Sequence, residues 1–182
     1  MNILKTEIAD LLILEPRVFR DDRGWFMESF NQKLFDQAAG QHYSFVQDNH
    51  SFSTRGVLRG MHYQLPPFDQ GKLVRVTHGK VWDVAIDIRK ASPTFGRWLG
   101  LELSAENQRQ FWLPPGFAHG FLTLSETAEF LYKTTAFYNK ACERNLAWND
   151  PDLNISWPDV GEKPMLAEKD AAAPQLKFAD TF

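Results

Sequence analysis

A mainly β fold, closed as a sandwich or barrel with a small helical fringe, is predicted by three features of the sequence. Short runs of β-branched and aromatic residues recur along the chain, each bounded by Gly, Pro or Asn/Asp. One of them, Val81 to Ile88, alternates with period two through Trp82, Val84, Ile86 and Ile88. No strand-like run alternates with a long helical pattern, so a parallel βαβ sheet has no support.

Taken in order, Asp21-Asp22-Arg23-Gly24 is a turn leading into an aromatic strand, Trp25 to Phe30. One helix follows: Asn31 is its N-cap, Leu34, Phe35 and Ala38 form its apolar face, and Gly40 suits the C′ position. Lys72 to Val76 and Val81 to Ile88, joined through His78-Gly79, are expected to pair as a hairpin. Further strands are expected at Trp98 to Leu103, Gln110 to Leu113, Phe121 to Leu124 and Glu129 to Tyr138. From about residue 151 the prolines predict loops with a short helix, all within a single domain over 1–182.

Composition narrows the function. Hydrophobic residues make up 43% of the 182, enough for a sizeable core and too many for a disordered chain. Lys and Arg total 20 against 23 Asp and Glu, so a nucleic-acid polymer is not the expected partner. The single cysteine, Cys142, excludes an internal disulfide framework and suits a reducing compartment. No apolar run approaches the roughly twenty residues of a membrane span, and no signal peptide is visible, so a cytoplasmic location is expected.

The densest polar stretch is Gln47-Asp48-Asn49-His50-Ser51, followed by Gly56-Val57-Leu58-Arg59-Gly60-Met61-His62-Tyr63-Gln64. A histidine such as His62 is tunable as a general base, or is simply a structural histidine. Strict alternation puts Arg59 and His62 on opposite faces, unless Gly60 allows a bulge. Asp83 interrupts an apolar arm; facing a cavity, it would need a partner such as a histidine. Metal-binding cupin barrels use a His-x-His pair, a Glu soon after and a later Pro-x-Gly-x-x-His. Here Pro114, Gly116 and His119 match the second element, but Gln64 and the missing Glu break the first, which favours a pocket without metal.

Gln47-Asp48-Asn49, Gly56 to Gln64, Lys72, Trp82-Asp83-Val84, Pro93-Thr94-Phe95-Gly96, Pro114 to Phe121 and Glu168-Lys169-Asp170 together resemble the dTDP-4-dehydrorhamnose 3,5-epimerase family. The resemblance implies a cupin-type jelly-roll barrel, no metal or organic cofactor, a homodimer, and a dTDP-4-keto-6-deoxy sugar as substrate. It also implies roles. His62 matches the general base, Asp170 its paired carboxylate, Tyr132 the acid on the other side of the sugar, and Lys72 the cation near the C4 oxygen. Arg23, Glu28, Gln47, Asn49, Arg59, His119, Glu143 and Lys169 match substrate-contacting positions.

Alternatives accompany these roles. Tyr132 shares a face with Phe130 and is equally a core residue; Lys72 is equally a solvated edge lysine; His119 is equally a loop brace; Asp83 rivals Asp170 as orienter of His62. Phe26, Tyr138 and Trp25 are unranked candidates for stacking on thymine; Arg23 and Arg59 suit the diphosphate, with Lys169 a lesser candidate. Trp25, Phe26 and Phe30 suit an exchanged strand in a dimer, which would let Arg23 and Glu28 serve the partner's pocket. Phe52 and Ala167 depart from the basic residue and the Ser frequent in relatives. Competing activities are an epimerase acting at C3 only or C5 only, a metal-dependent cupin, and a non-catalytic sugar-nucleotide-binding cupin.

Overall fold

A computed structural model describes residues 1–182. In chain order the strands are β1 (Asn2–Lys5), β2 (Leu12–Glu15), β3 (Val18–Asp21), β4 (Gly24–Met27), β5 (Gln47–Thr54), β6 (Leu58–Gln64) and β7 (Lys72–His78). They continue with β8 (Lys80–Asp87), β9 (Trp98–Ser104), β10 (Gln110–Leu113), β11 (Phe117–Thr123), β12 (Thr127–Thr134) and β13 (Glu143–Asn145). Helix α1 (Gln32–Ala39) follows β4, and α2 (Glu168–Ala171) lies near the C-terminus.

Two antiparallel sheets face each other as a cupin-type jelly roll. One has the order β1-β2-β10-β7-β12-β5, the other β13-β6-β11-β8-β9. Val74, Val76, Phe111 and Phe130 of the first meet Val81, Ala85, Phe117 and Phe121 of the second in the central core. Phe121 and Phe130 stack across the gap with ring centroids 4.2 Å apart, so either ring truncated to Ala would cost about 3–5 kcal/mol.

The expected hairpin between Lys72–Val76 and Val81–Ile88 does not form. β7 pairs with β10 and β12, whereas β8 pairs with β11 and β9. The chain crosses from one sheet to the other at Gly79, where φ is +71° and a Cβ would collide with Thr127 O. Both arms carry an apolar face for the same core, and placing them on opposite walls buries both. The period-two residues Val84 and Ile86 pack with Met61 and Tyr63 against Leu153, Trp157 and Leu176 of the C-terminal segment. That segment covers the outer face of the second sheet, which is why β8 is apolar on both sides.

Helix α1 matches its sequence signals. The Asn31 side chain accepts from the Leu34 N–H at 3.2 Å, and Gly40 is left-handed with φ 75°. Its buried Phe35 packs edge-on against Trp112 and covers part of the outer face of the first sheet. The strand pair β3–β4 stands apart from both sheets. The expected long strand Trp25 to Phe30 stops at Met27, and Phe121 to Leu124 begins earlier, at Phe117.

Candidate active site

A cavity of about 520 Å³ opens between the two sheets. β6 supplies Arg59 and His62, β11 supplies His119 and Phe121, β7 supplies Lys72, and β12 supplies Phe130 and Tyr132. Glu143 closes one side, and α2 brings Lys169 and Asp170 from the far end of the chain.

Arg59 and His62 share the inner face because β6 carries an extra residue there. Arg59 pairs with Phe121 and His62 with His119, so three steps on β6 match two on β11. Gly60 sits at this bulge with φ +131°, and a Cβ on it would lie 2.5 Å from Gly120 Cα. The Gly60 N–H freed from the ladder donates to Asp170 Oδ2 at 3.3 Å. The bulge therefore turns the histidine inward and also helps to hold its carboxylate.

Asp170 Oδ1 lies 2.7 Å from His62 Nε2, and Asp170 is 2% exposed. Burial alone would raise the Asp170 pKa, but the His62 bond and the Gly60 N–H hold it below the usual carboxylate range. An ionised Asp170 requires the proton of neutral imidazole on Nε2, leaving the lone pair on Nδ1. Burial pushes the His62 pKa down despite Asp170, so the ring is neutral at pH 7.

Asp83 orients a different histidine. Its two oxygens lie 3.0 and 2.9 Å from His119 Nε2, and it is fully buried. As an alternative orienter of His62 it is corrected by this pairing: the inner face of β8 places Asp83 beside His119, two residues along β11 from its register partner Phe121.

Lys72 is buried rather than a solvated edge lysine, and its Nζ donates to His62 O at 3.1 Å. Burial lowers its pKa to about 8, with Asp83 and Glu143 opposing the fall. Tyr132 stands on the other sheet from His62, and burial raises its phenol pKa, so it stays a proton donor at neutral pH. At the rim Lys169 Nζ meets Glu143 Oε1 at 2.7 Å, and Tyr138 Oη donates to Glu143 Oε2 at 3.2 Å. Burial works against the Glu143 charge, but the Lys169 ion pair wins and keeps its pKa low.

The remaining predicted residues divide. Gln47 and Asn49 lie on β5 beside the cavity: Gln47 Nε2 donates to Asn49 Oδ1 at 2.9 Å, and Asn49 opposes Tyr132 in register. Arg23 and Glu28 are outside the cavity and exposed; the Arg23 side chain is 90% exposed and pairs with Asp21. Of the aromatic candidates for stacking, Tyr138 lines this cavity, while Trp25 and Phe26 stand on the β3–β4 arm. Ser51, which belongs to the polar stretch but matches no expected role, also lines the cavity with its hydroxyl unpartnered. Alternation along β5 puts Gln47, Asn49, Ser51 and Ser53 on one face, and that was the available signal. Gln64, at the broken metal position, has its amide engaged with backbone, and no cluster of three or more His, Cys, Asp or Glu has the spacing to hold a metal ion. No helix is long and apolar enough to cross a membrane.

Comparison with known proteins places this geometry. A family model described as dTDP-4-dehydrorhamnose 3,5-epimerase matches residues 5–178. Proteins of that name from Shigella flexneri and Pseudomonas aeruginosa are 60% and 57% identical over 182 residues, covering 100% of this chain and 99% of each relative. The crystal structure of dTDP-6-deoxy-D-glucose-3,5-epimerase from Legionella pneumophila, in complex with dTDP-4-keto-L-rhamnose, superposes with a TM-score of 0.95 at 52% identity. That likeness covers 98% of this chain and 94% of the Legionella chain.

Proposed function

The chain belongs to the dTDP-4-dehydrorhamnose 3,5-epimerase family, and on that premise we propose how its cavity performs the reaction. The enzyme is an isomerase that inverts C3 and C5 of dTDP-4-dehydro-6-deoxy-D-glucose to give dTDP-4-dehydro-L-rhamnose, a step of dTDP-L-rhamnose biosynthesis. The observation that carries the mechanism is the placement of His62 on one sheet and Tyr132 on the other, with buried Lys72 on β7, the strand beside that of Tyr132, reaching across to His62 O at 3.1 Å.

The hydrogens on C3 and C5 are both alpha to the C4 ketone. His62 Nδ1 takes one of them, and the electron pair of the C–H bond moves into an enolate whose charge settles on the C4 oxygen. Lys72 Nζ, a cation held in a buried site, stabilises that charge more than it stabilises the neutral ketone. Tyr132 delivers a proton to the opposite face of the same carbon and so inverts it. Asp170 stabilises the imidazolium formed in the first step. His62 then gives its proton to solvent and Tyr132 regains one from solvent, and the ring shifts or rebinds to present the second carbon to the restored pair. Because α2 brings Asp170 and Lys169, the whole of 1–182, with its loop-rich end, works as one catalytic unit.

The diphosphate falls to Arg59 and Lys169 at the cavity mouth, and thymine to Tyr138. Gln47, Asn49, His119 and Glu143 complete the contacts of this chain with the substrate. The functional form is a homodimer. Phe19, Trp25 and Phe26 are 50%, 55% and 69% exposed on the β3–β4 arm, a costly apolar surface for a monomer. β5 is an edge strand of eight residues open to pairing. An exchanged arm carries Arg23 and Glu28 to the partner's cavity. A cytoplasmic site of action fits the single free cysteine.

Position-by-position incorporation of solvent deuterium tests the reading. Fresh enzyme in D2O should label both C3 and C5, with chelators making no difference. Label at one carbon only would demote the chain to a monoepimerase, and label at neither would remove the epimerase reading.

A further inference from the structure

Gln64 stands two residues after His62 on β6, lines the cavity and is 4% exposed. A buried primary amide has two N–H donors and a carbonyl to satisfy. Here all are given to backbone. Nε2 donates to Phe68 O at 2.5 Å and to Phe137 O at 3.2 Å, and Oε1 accepts from the Asn139 N–H at 2.7 Å.

These partners are not scattered. Phe137 and Asn139 flank Tyr138, which lines the cavity and bonds Glu143. Phe68 belongs to the segment that runs from β6 into Lys72. One side chain thus ties the strand of His62 to the approach to Lys72 and to both sides of Tyr138. The same loop is held from elsewhere by Gln47 Oε1, which accepts from the Tyr138 N–H at 3.1 Å, and by Gln70 Nε2, which donates to Ala136 O at 2.8 Å.

We propose that Gln64 is a positioning residue for substrate binding: its amide clamps the backbone on either side of Tyr138 and sets that rim relative to His62. The proposal rests on the reading that this cavity takes a dTDP-sugar. The amide is specifically required. A carboxylate of the same length keeps the acceptor for Asn139 but faces two carbonyl oxygens with no proton to give. A methionine of similar length makes none of the three bonds. Since Gln47 and Gln70 still hold the loop, its loss should loosen the rim without dismantling the barrel.

The test uses Gln64→Glu and Gln64→Met in the full chain, each alone and combined with Tyr138→Ala. In either single variant the Kd for dTDP and the KM for the 4-keto sugar should rise about tenfold, the cost expected for buried polar groups left unpaired. kcat should stay within about twofold of wild type, a split that a general loss of folding would not give. In the Tyr138→Ala background the added penalty should vanish, because the clamped residue is already gone. Amide exchange at Asn139 should accelerate in Gln64→Met and stay slow in Gln64→Glu, which keeps the acceptor. Gln64→Met also carries the test if the introduced carboxylate blocks folding. Unchanged dTDP affinity in both variants, penalties that multiply in full with Tyr138→Ala, or a fall in kcat at unchanged affinity would each overturn the proposal. Affinity for dTDP needs no turnover, so a wild-type enzyme that fails to exchange deuterium would break the epimerase reading and leave this result to stand or fall separately.

Discussion

Two clusters of buried charge sit in the same barrel and are built to opposite ends. Around Asp87, fully buried at the end of β8, every oxygen is used. Arg89 donates from Nε at 2.9 Å and from a terminal nitrogen at 2.7 Å, and Ser92 and Thr94 hydroxyls donate at 2.6 Å each. Burial opposes the Asp87 charge, but these bonds overwhelm it and bring the pKa to about 2, while Arg89 is shifted upward. In the cavity the balance is reversed. Lys72 Nζ makes one hydrogen bond for its three protons, His62 keeps Nδ1 free, and burial pulls both toward their neutral forms. Saturated partners lock a charge and lend rigidity, whereas unsaturated ones leave a group able to exchange a proton or accept a new anion.

The largest break in that contrast should come from His62→Ala. Turnover should fall by about 10³-fold or more, the upper range for losing a positioned base, with dTDP affinity largely kept. Thermal stability should fall, since the buried Asp170 carboxylate loses its partner at 2.7 Å. Next in size is Lys72→Met, which should lower kcat by about 10²–10³-fold, as expected for removing an oxyanion-stabilising group. Chemical denaturation should find the variant no less stable, because a poorly satisfied buried ammonium is replaced by an apolar chain of similar length.

Asp87→Asn should do the converse. It should leave kcat and KM near wild type and destabilise the fold by about 2–3 kcal/mol, less than a fully buried pair because Arg89 is part-exposed. The sign with pH follows from the depressed pKa. The contribution is fully present above the unfolded value of about 3.9 and is lost as pH falls toward the folded value. Urea midpoints of the variant and wild type should therefore converge in acid. The smallest effect is expected of Ala167→Ser. Ala167 is the N-cap of α2 and gives it no side-chain hydrogen bond, and a hydroxyl there should add about 0.5–1 kcal/mol by satisfying a free helix N–H. As α2 carries Asp170, a small rise in the urea midpoint should accompany unchanged or slightly higher turnover.

The contrast also marks what could be read from sequence. α1 was legible at both ends because capping is local: Asn31 and Gly40 act on the residues beside them. The β7–β8 pairing was misread because alternation tells that a strand has a buried face, not which sheet it joins. The conflict between Arg59 and His62 was visible, and Gly60 was the right place for its release, but the bulge is fixed by the opposite strand at Gly120. Asp170 could be paired with His62 only through a resemblance, since 108 residues of chain separate them. Arg23 and Glu28 lie outside the cavity of their own chain.

The central claim, a buried neutral base beside a buried cation, is tested most directly by the pH dependence of deuterium exchange at C3 and C5 with substrate well below its KM, where the rate reports the groups of the free enzyme. His62 must be neutral to act, so activity should fall in acid only below the ordinary histidine value of about 6.5. Lys72 must be charged, so activity should fall in alkali as it loses its proton near about 8. Repeating the profile with Lys72→Met should give a much slower reaction without that alkaline limb. A rate independent of pH across both values, or a limb near 8 that persists in Lys72→Met, would contradict the account.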